Sequence, residues 1–191
     1  MRMYVATIVL LLFGGGALRA QTYDGSLSVA QLQNFTKSLQ TSEGRIYAII
    51  PFLDESAGGT TSIAVLTARP RDGWRVAVFA SDRKSSFRKI WSSGKLDDSF
   101  AVSSASQLAV FGLESGYAIS FGGCAAHMCP EIFSELLYVP SMKRAYSATC
   151  QDGTVHYSFA VSDEKNADVK SGLDELLRNH SHDKNACGAN F

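Results

Sequence analysis

The sequence predicts an α+β domain, with a central antiparallel sheet and an N-terminal and a C-terminal helix. Three observations lead there. Apolar residues recur at helical spacing near both ends, at Val29, Leu32, Phe35 and Leu39 and again at Val169, Leu173, Leu176 and Leu177. Between them lie short β-branched and aromatic runs separated by turn residues. These runs follow one another directly instead of alternating with helical segments, which argues for antiparallel pairing over βα units.

The first helix is expected from about Ser28 to Leu39. Ser28-Val29-Ala30-Gln31 fits a capping box, in which the Ser and Gln side chains satisfy the first free amides. From Arg45 the pattern becomes extended. Ile46 to Phe52 is apolar, and Pro51 predicts that its strand stops at Ile50. Ser62 to Ala68 and Trp74 to Ala80 form a hairpin around Pro70-Arg71-Asp72-Gly73, where Pro sets φ and Gly accepts a positive one. Ser86 to Trp91, Phe100 to Val102, Leu108 to Leu113 and Tyr117 to Phe121 continue as short strands. Ile132 to Val139 and Lys143 to Cys150 follow, and Gln151-Asp152-Gly153 turns the chain into a strand from Thr154 to Val161. There Val155, Tyr157 and Phe159 share one face, and His156 falls on the polar one. Ser162 or Asp163 caps the last helix, which fades at Arg178-Asn179.

The start of the chain reads as a signal peptide over residues 1–20. Met1-Arg2-Met3 is positive, Tyr4 to Phe13 is apolar, and Gly14 to Ala20 is rich in small residues. The apolar run is about half the ~20 residues that a membrane-spanning helix needs. No Cys follows it to carry a lipid anchor. Residues 21–191 then form a single α+β domain with a short flexible C-terminal tail, exported to the periplasm or the medium. No membrane partner is expected once the leader is cleaved.

Two of the 18 basic residues, Arg2 and Arg19, lie in the leader, which leaves 16 against 18 acidic ones. A balance near −2 without a basic cluster argues against a nucleic-acid partner.

Export also directs the reading of the four cysteines, which in an oxidising compartment are expected to pair. Three pairings are open. Close spacing favours Cys124–Cys129, which leaves Cys150–Cys187 to pin the tail; a free Cys187 is the competing reading. The first pair encloses Cys124, Ala125, Ala126, His127, Met128 and Cys129, between Gly122-Gly123 and Pro130.

The order C-x-x-H-x-C matches neither the C-x-x-C of thioredoxin-like redox sites nor the C-x-x-C-H of covalent haem. A zinc site at Cys124, His127 and Cys129 lacks a fourth ligand, and a disulfide removes the thiolate that a cysteine nucleophile needs. The tail residues His180, His182, Asp183 and Cys187 match no defined zinc pattern either. No G-x-S-x-G element and no motif-placed acid pair is present. The expectation is therefore no metal, no cofactor and no catalysis. What remains is a small rigid ring, a form suited to binding because it has little freedom to lose.

Cys124-Ala125-Ala126-His127-Met128-Cys129 resembles the disulfide-closed Cys-x-x-His-x-Cys loop of the periplasmic inhibitors of vertebrate (C-type) lysozyme. Tyr117-Ala118-Ile119-Ser120 before it and Leu136 to Ala145 after it are in similar order, so the likeness covers about residues 116–149. It implies a small α+β domain, often dimeric. The partner would be a lysozyme-like enzyme whose cleft receives the loop, with His127 against the catalytic carboxylates. The family loop usually has Pro before the His and Asp after it; here Ala126 and Met128 stand there. The competing reading is a secreted binding or structural module in which the loop is only scaffold.

Overall fold

The computed structural model describes residues 29–180, apart from 43, 55–59, 70–72, 82–85 and 130. The proposed leader, the capping Ser28 and the tail beyond 180 lie outside the described residues. The elements are α1 (Val29–Ser42), β1 (Arg45–Asp54), β2 (Thr60–Arg69), β3 (Gly73–Ser81), β4 (Phe87–Ser92), β5 (Leu108–Leu113), β6 (Gly116–Cys124), β7 (Ile132–Val139), β8 (Arg144–Gln151), β9 (Thr154–Tyr157) and α2 (Ala167–His180).

The strands form two antiparallel sheets, β1-β2-β3-β4 and β5-β6-β7-β8-β9, each in sequence order. This corrects the α+β expectation of one central sheet: the protein is mostly β, with one helix on the outer face of each sheet. The reason is visible in the central strands. Ile63, Ala64, Val65 and Leu66 are all buried, as are Ala118, Ile119, Ser120 and Phe121, so these strands are covered on both faces.

Three apolar layers result. Between the sheets lie Phe52, Ala64, Leu66, Val76 and Val78 of the first sheet, against Leu108, Ile119, Phe121, Leu136 and Tyr138 of the second. Trp91 of β4 stacks on Tyr138 with ring centroids 4.4 Å apart. Outside the first sheet, Phe35 and Leu39 of α1 cover Ile63, Val65, Ala77 and Phe79. Leu32, expected on the same stripe, is 37% exposed. Outside the second sheet, Val169, Leu173 and Leu177 of α2 cover Ala118, Phe133, Leu137 and Val139.

Polar contacts fix α2. The Asp168 carboxylate accepts hydrogen bonds from Glu114 N (3.0 Å), Ser115 N (2.9 Å) and Ser115 Oγ, tying the start of α2 to the β5–β6 turn. Burial acts to raise its pKa, but the bonds from Ser115 and Glu114 prevail and hold it below the usual carboxylate value. Nearly two turns on, Asp174 accepts from the Tyr157 hydroxyl of β9 and pairs with Lys170 at 2.6 Å.

Three local expectations also change. β1 continues through Pro51, which pairs with Ile63. β1 is an edge strand, where a residue without an N–H can sit without breaking the sheet. Phe100 to Val102 is no strand: Asp98–Phe100 is a 3-10 turn capped by Asp97, and only Val102 bridges to β6. The last strand stops at Tyr157, although Phe159 still packs with Val155 and Tyr157 as the alternation predicted. Asp163 caps the 3-10 turn Glu164–Asn166 that leads into α2.

Candidate functional site

The site lies at one end of the second sheet, where the antiparallel β6 and β7 are joined by residues 125–131. Their last paired residues are Cys124 and Phe133. The Cys124–Cys129 disulfide is formed, with the two Cα atoms 5.5 Å apart. Backbone bonds close the same loop at its base. Ala125 N donates to Ile132 O at 2.9 Å, and Ile132 N donates to Met128 O at 2.8 Å.

Inside the ring, Met128 N donates to Ala125 O at 3.1 Å, closing a turn over Ala125-Ala126-His127-Met128. His127 holds the third position at φ 64°, as a type II-like turn requires. Positive φ is uncommon for a side-chain-bearing residue, though His tolerates it better than most. Ala126, His127, Met128 and Cys129 are all exposed. All six residues singled out in the sequence are thus gathered in one small ring, with the imidazole at its turn.

The foot of the ring is braced by a segment that the sequence did not connect to it. The crossover between the sheets, residues 93–107, passes beside Cys124 before β5 begins opposite Phe121. Val102 N donates to Cys124 O and Cys124 N to Val102 O, both at 2.9 Å. Ser103 Oγ donates to Gly122 O at 2.5 Å. Gly123 admits this approach: a Cβ there would stand 3.0 Å from Phe100 Cα and 3.1 Å from Val102 O.

A row of hydroxyls continues the brace. Ser99 Oγ donates to Asp97 Oδ1, and Ser134 Oγ donates to Ser99 Oγ at 2.6 Å. Ser134 has thereby used its one proton, so the 2.7 Å contact with Thr149 is donated by Thr149. Each hydroxyl points toward the Asp97 carboxylate, and Ser134, opposite Gly123, is fully buried. No spacing rule reveals this set, because its members come from the crossover, β7 and β8.

The other singled-out residues stand apart. His156 is exposed on β9, opposite Thr149. Cys150 is buried on the α2 side and is disulfide-bonded; its expected partner Cys187 lies outside the described residues, as do His182 and Asp183. Among the described residues, no three His, Cys, Asp or Glu gather where they could hold a metal ion. Among the described residues, no helix is long and apolar enough to cross a membrane.

No known family model, curated protein or solved structure matches the chain.

Proposed function

We propose that the protein is an exported inhibitor of a lysozyme-like muramidase, and that it inserts the Cys124–Cys129 ring into the active-site cleft with His127 leading. The observation that carries this reading is the exposed imidazole at φ 64° in a ring closed both by a disulfide and by backbone bonds. Such a ring loses little freedom when it docks. Glycan-cleaving sites hold a pair of carboxyl groups across a cleft. An imidazole presented to one of them forms a charge-assisted hydrogen bond, a class of contact that contributes about 1.5–3 kcal/mol. The resemblance of the loop points to the same target, and residues 1–20 supply the export signal.

The test is inhibition of C-type lysozyme by the purified mature protein, beside His127→Ala and His127→Gly. Wild type is expected to inhibit at or below micromolar concentration. Both variants should lose about tenfold to a hundredfold, the affinity that one such bond represents. The glycine variant should do so with its stability intact, since it accepts the positive φ freely. Absence of inhibition by the wild type, against goose-type and invertebrate-type lysozymes as well, would leave the ring as scaffold in a binding module.

A further inference from the structure

The ring is not the whole of the surface at this end of the molecule. Eight large hydrophobic side chains stay exposed among the described residues, and two of them belong to this site. Met128, next to His127, is 47% exposed, and Val102, at the foot of the ring, is 48% exposed. Val102 lies directly opposite Cys124 in the bridge, so their side chains stand on the same face of the sheet, with Cβ atoms about 5 Å apart. Val102 therefore borders the disulfide. Its backbone cannot drift, because both of its hydrogen bonds go to Cys124 and the next residue, Ser103, is bonded to Gly122 O.

An exposed valine fixed in this way is a preorganised contact. The arrangement is one polar group with an apolar neighbour in its own turn and a second apolar side chain at the foot of its ring, drawn from two separate segments. Ligand clefts have the complementary character, with apolar and aromatic walls around a few placed polar groups.

We infer that Val102 and Met128 are the apolar flanks of the inhibitory face and pack against the walls of the target enzyme's cleft while His127 meets its carboxylates. This rests on the inhibitor reading and adds to it a contact residue, Val102, that lies outside the loop.

The test measures inhibition constants against C-type lysozyme for wild type, His127→Ala, Val102→Asp, Met128→Asp and Met142→Asp, with oligomeric state measured by light scattering. Met142 is a control, 42% exposed beyond the opposite end of β7. A charge pressed against an apolar wall is costly, so Val102→Asp and Met128→Asp should each weaken inhibition at least about tenfold. Met142→Asp should stay within about twofold, and all variants should keep the far-ultraviolet circular dichroism of the wild type. Val102→Ala, which removes the flank without adding charge, should lose less than Val102→Asp. If both Asp variants inhibit like wild type while His127→Ala does not, the flanks are refuted and the plug stands. If wild type fails to inhibit, both readings fall. If Val102→Asp turns a dimer into monomers with inhibition unchanged, the patch belongs to a second copy of the chain and the inference is overturned.

Discussion

Single residues in this protein are held by neighbours that constrain more than one property at once. His127 is placed by its turn, and the ring around it keeps a backbone conformation that an open loop would leave. Tyr157 is the counterpart at the α2–β9 contact. Its hydroxyl donates to Asp174, and Lys170, which pairs with the same carboxylate, lies over its ring 5.2 Å from the centroid. Burial, then the bond to Asp174, pushes the Tyr157 pKa up from 10.0 to about 12, against the opposing effect of Lys170. A raised pKa means that the folded state favours the protonated phenol. Its contribution is complete below pH 10 and is lost as pH rises from 10 to about 12. Lys170 is also raised, chiefly by its bond to Asp174, so its contribution disappears in the same alkaline direction. Thermal midpoints measured from pH 8 to 12 should fall more steeply for wild type than for Tyr157→Phe. Parallel curves would show that the phenol does not couple to folding.

Among the elements, the crossover of residues 93–107 has two tasks: it carries the chain from one sheet to the other, and it braces the ring. Its seat on β6 depends on Gly123. The nearest atoms to a Cβ at that position, Phe100 Cα at 3.0 Å and Val102 O at 3.1 Å, are backbone and cannot swing aside. Gly123→Ala should therefore cost about 1–3 kcal/mol, the usual range for overpacking, and should speed hydrogen exchange at the Val102 and Cys124 amides. Gly112→Ala, with nothing within 4 Å, should leave stability nearly unchanged in the same denaturation series. This element also marks what the sequence could reveal. The hairpin β2–β3, the β8–β9 turn and the stripe of α2 were legible because each is written in neighbouring residues. So was the Cys124–Cys129 ring with His127, whose members lie within six positions. The division into two sheets was not, because alternation along a strand reports which face is apolar and not which sheet the strand joins. Val102 was not legible as part of the site for a related reason: its apolar run with Phe100 looks like a strand, and only the packing of Gly123 against the crossover brings it beside Cys124.

The molecule as a whole depends on the layer between its sheets, which among the described residues is the only apolar cluster drawn from both of them. Phe121 lies at its middle, fully buried, with its ring 6.0 Å from Phe100 of the crossover and 6.2 Å from Trp74 of β3. Both tryptophans, Trp74 and Trp91, belong to the first sheet and touch aromatic rings of the second. Their fluorescence therefore reports contact between the sheets, while far-ultraviolet circular dichroism reports the strands and helices themselves. Neither sheet can keep its inner face dry alone, so the two should unfold together. In urea the two signals should trace one coincident transition, the mark of two-state behaviour. Phe121→Ala should lower stability by about 3–5 kcal/mol, a large part of the 5–15 kcal/mol that folded domains have, and should shift both curves equally. A fluorescence change well before the loss of circular dichroism would mean that the sheets separate first, each stabilised by its own helix. The brace on the ring would then fail early too, because the crossover packs into the same layer through Leu96 and Phe100. Cooperativity between the sheets is thus what keeps Val102 beside Cys124, and with it the surface around His127.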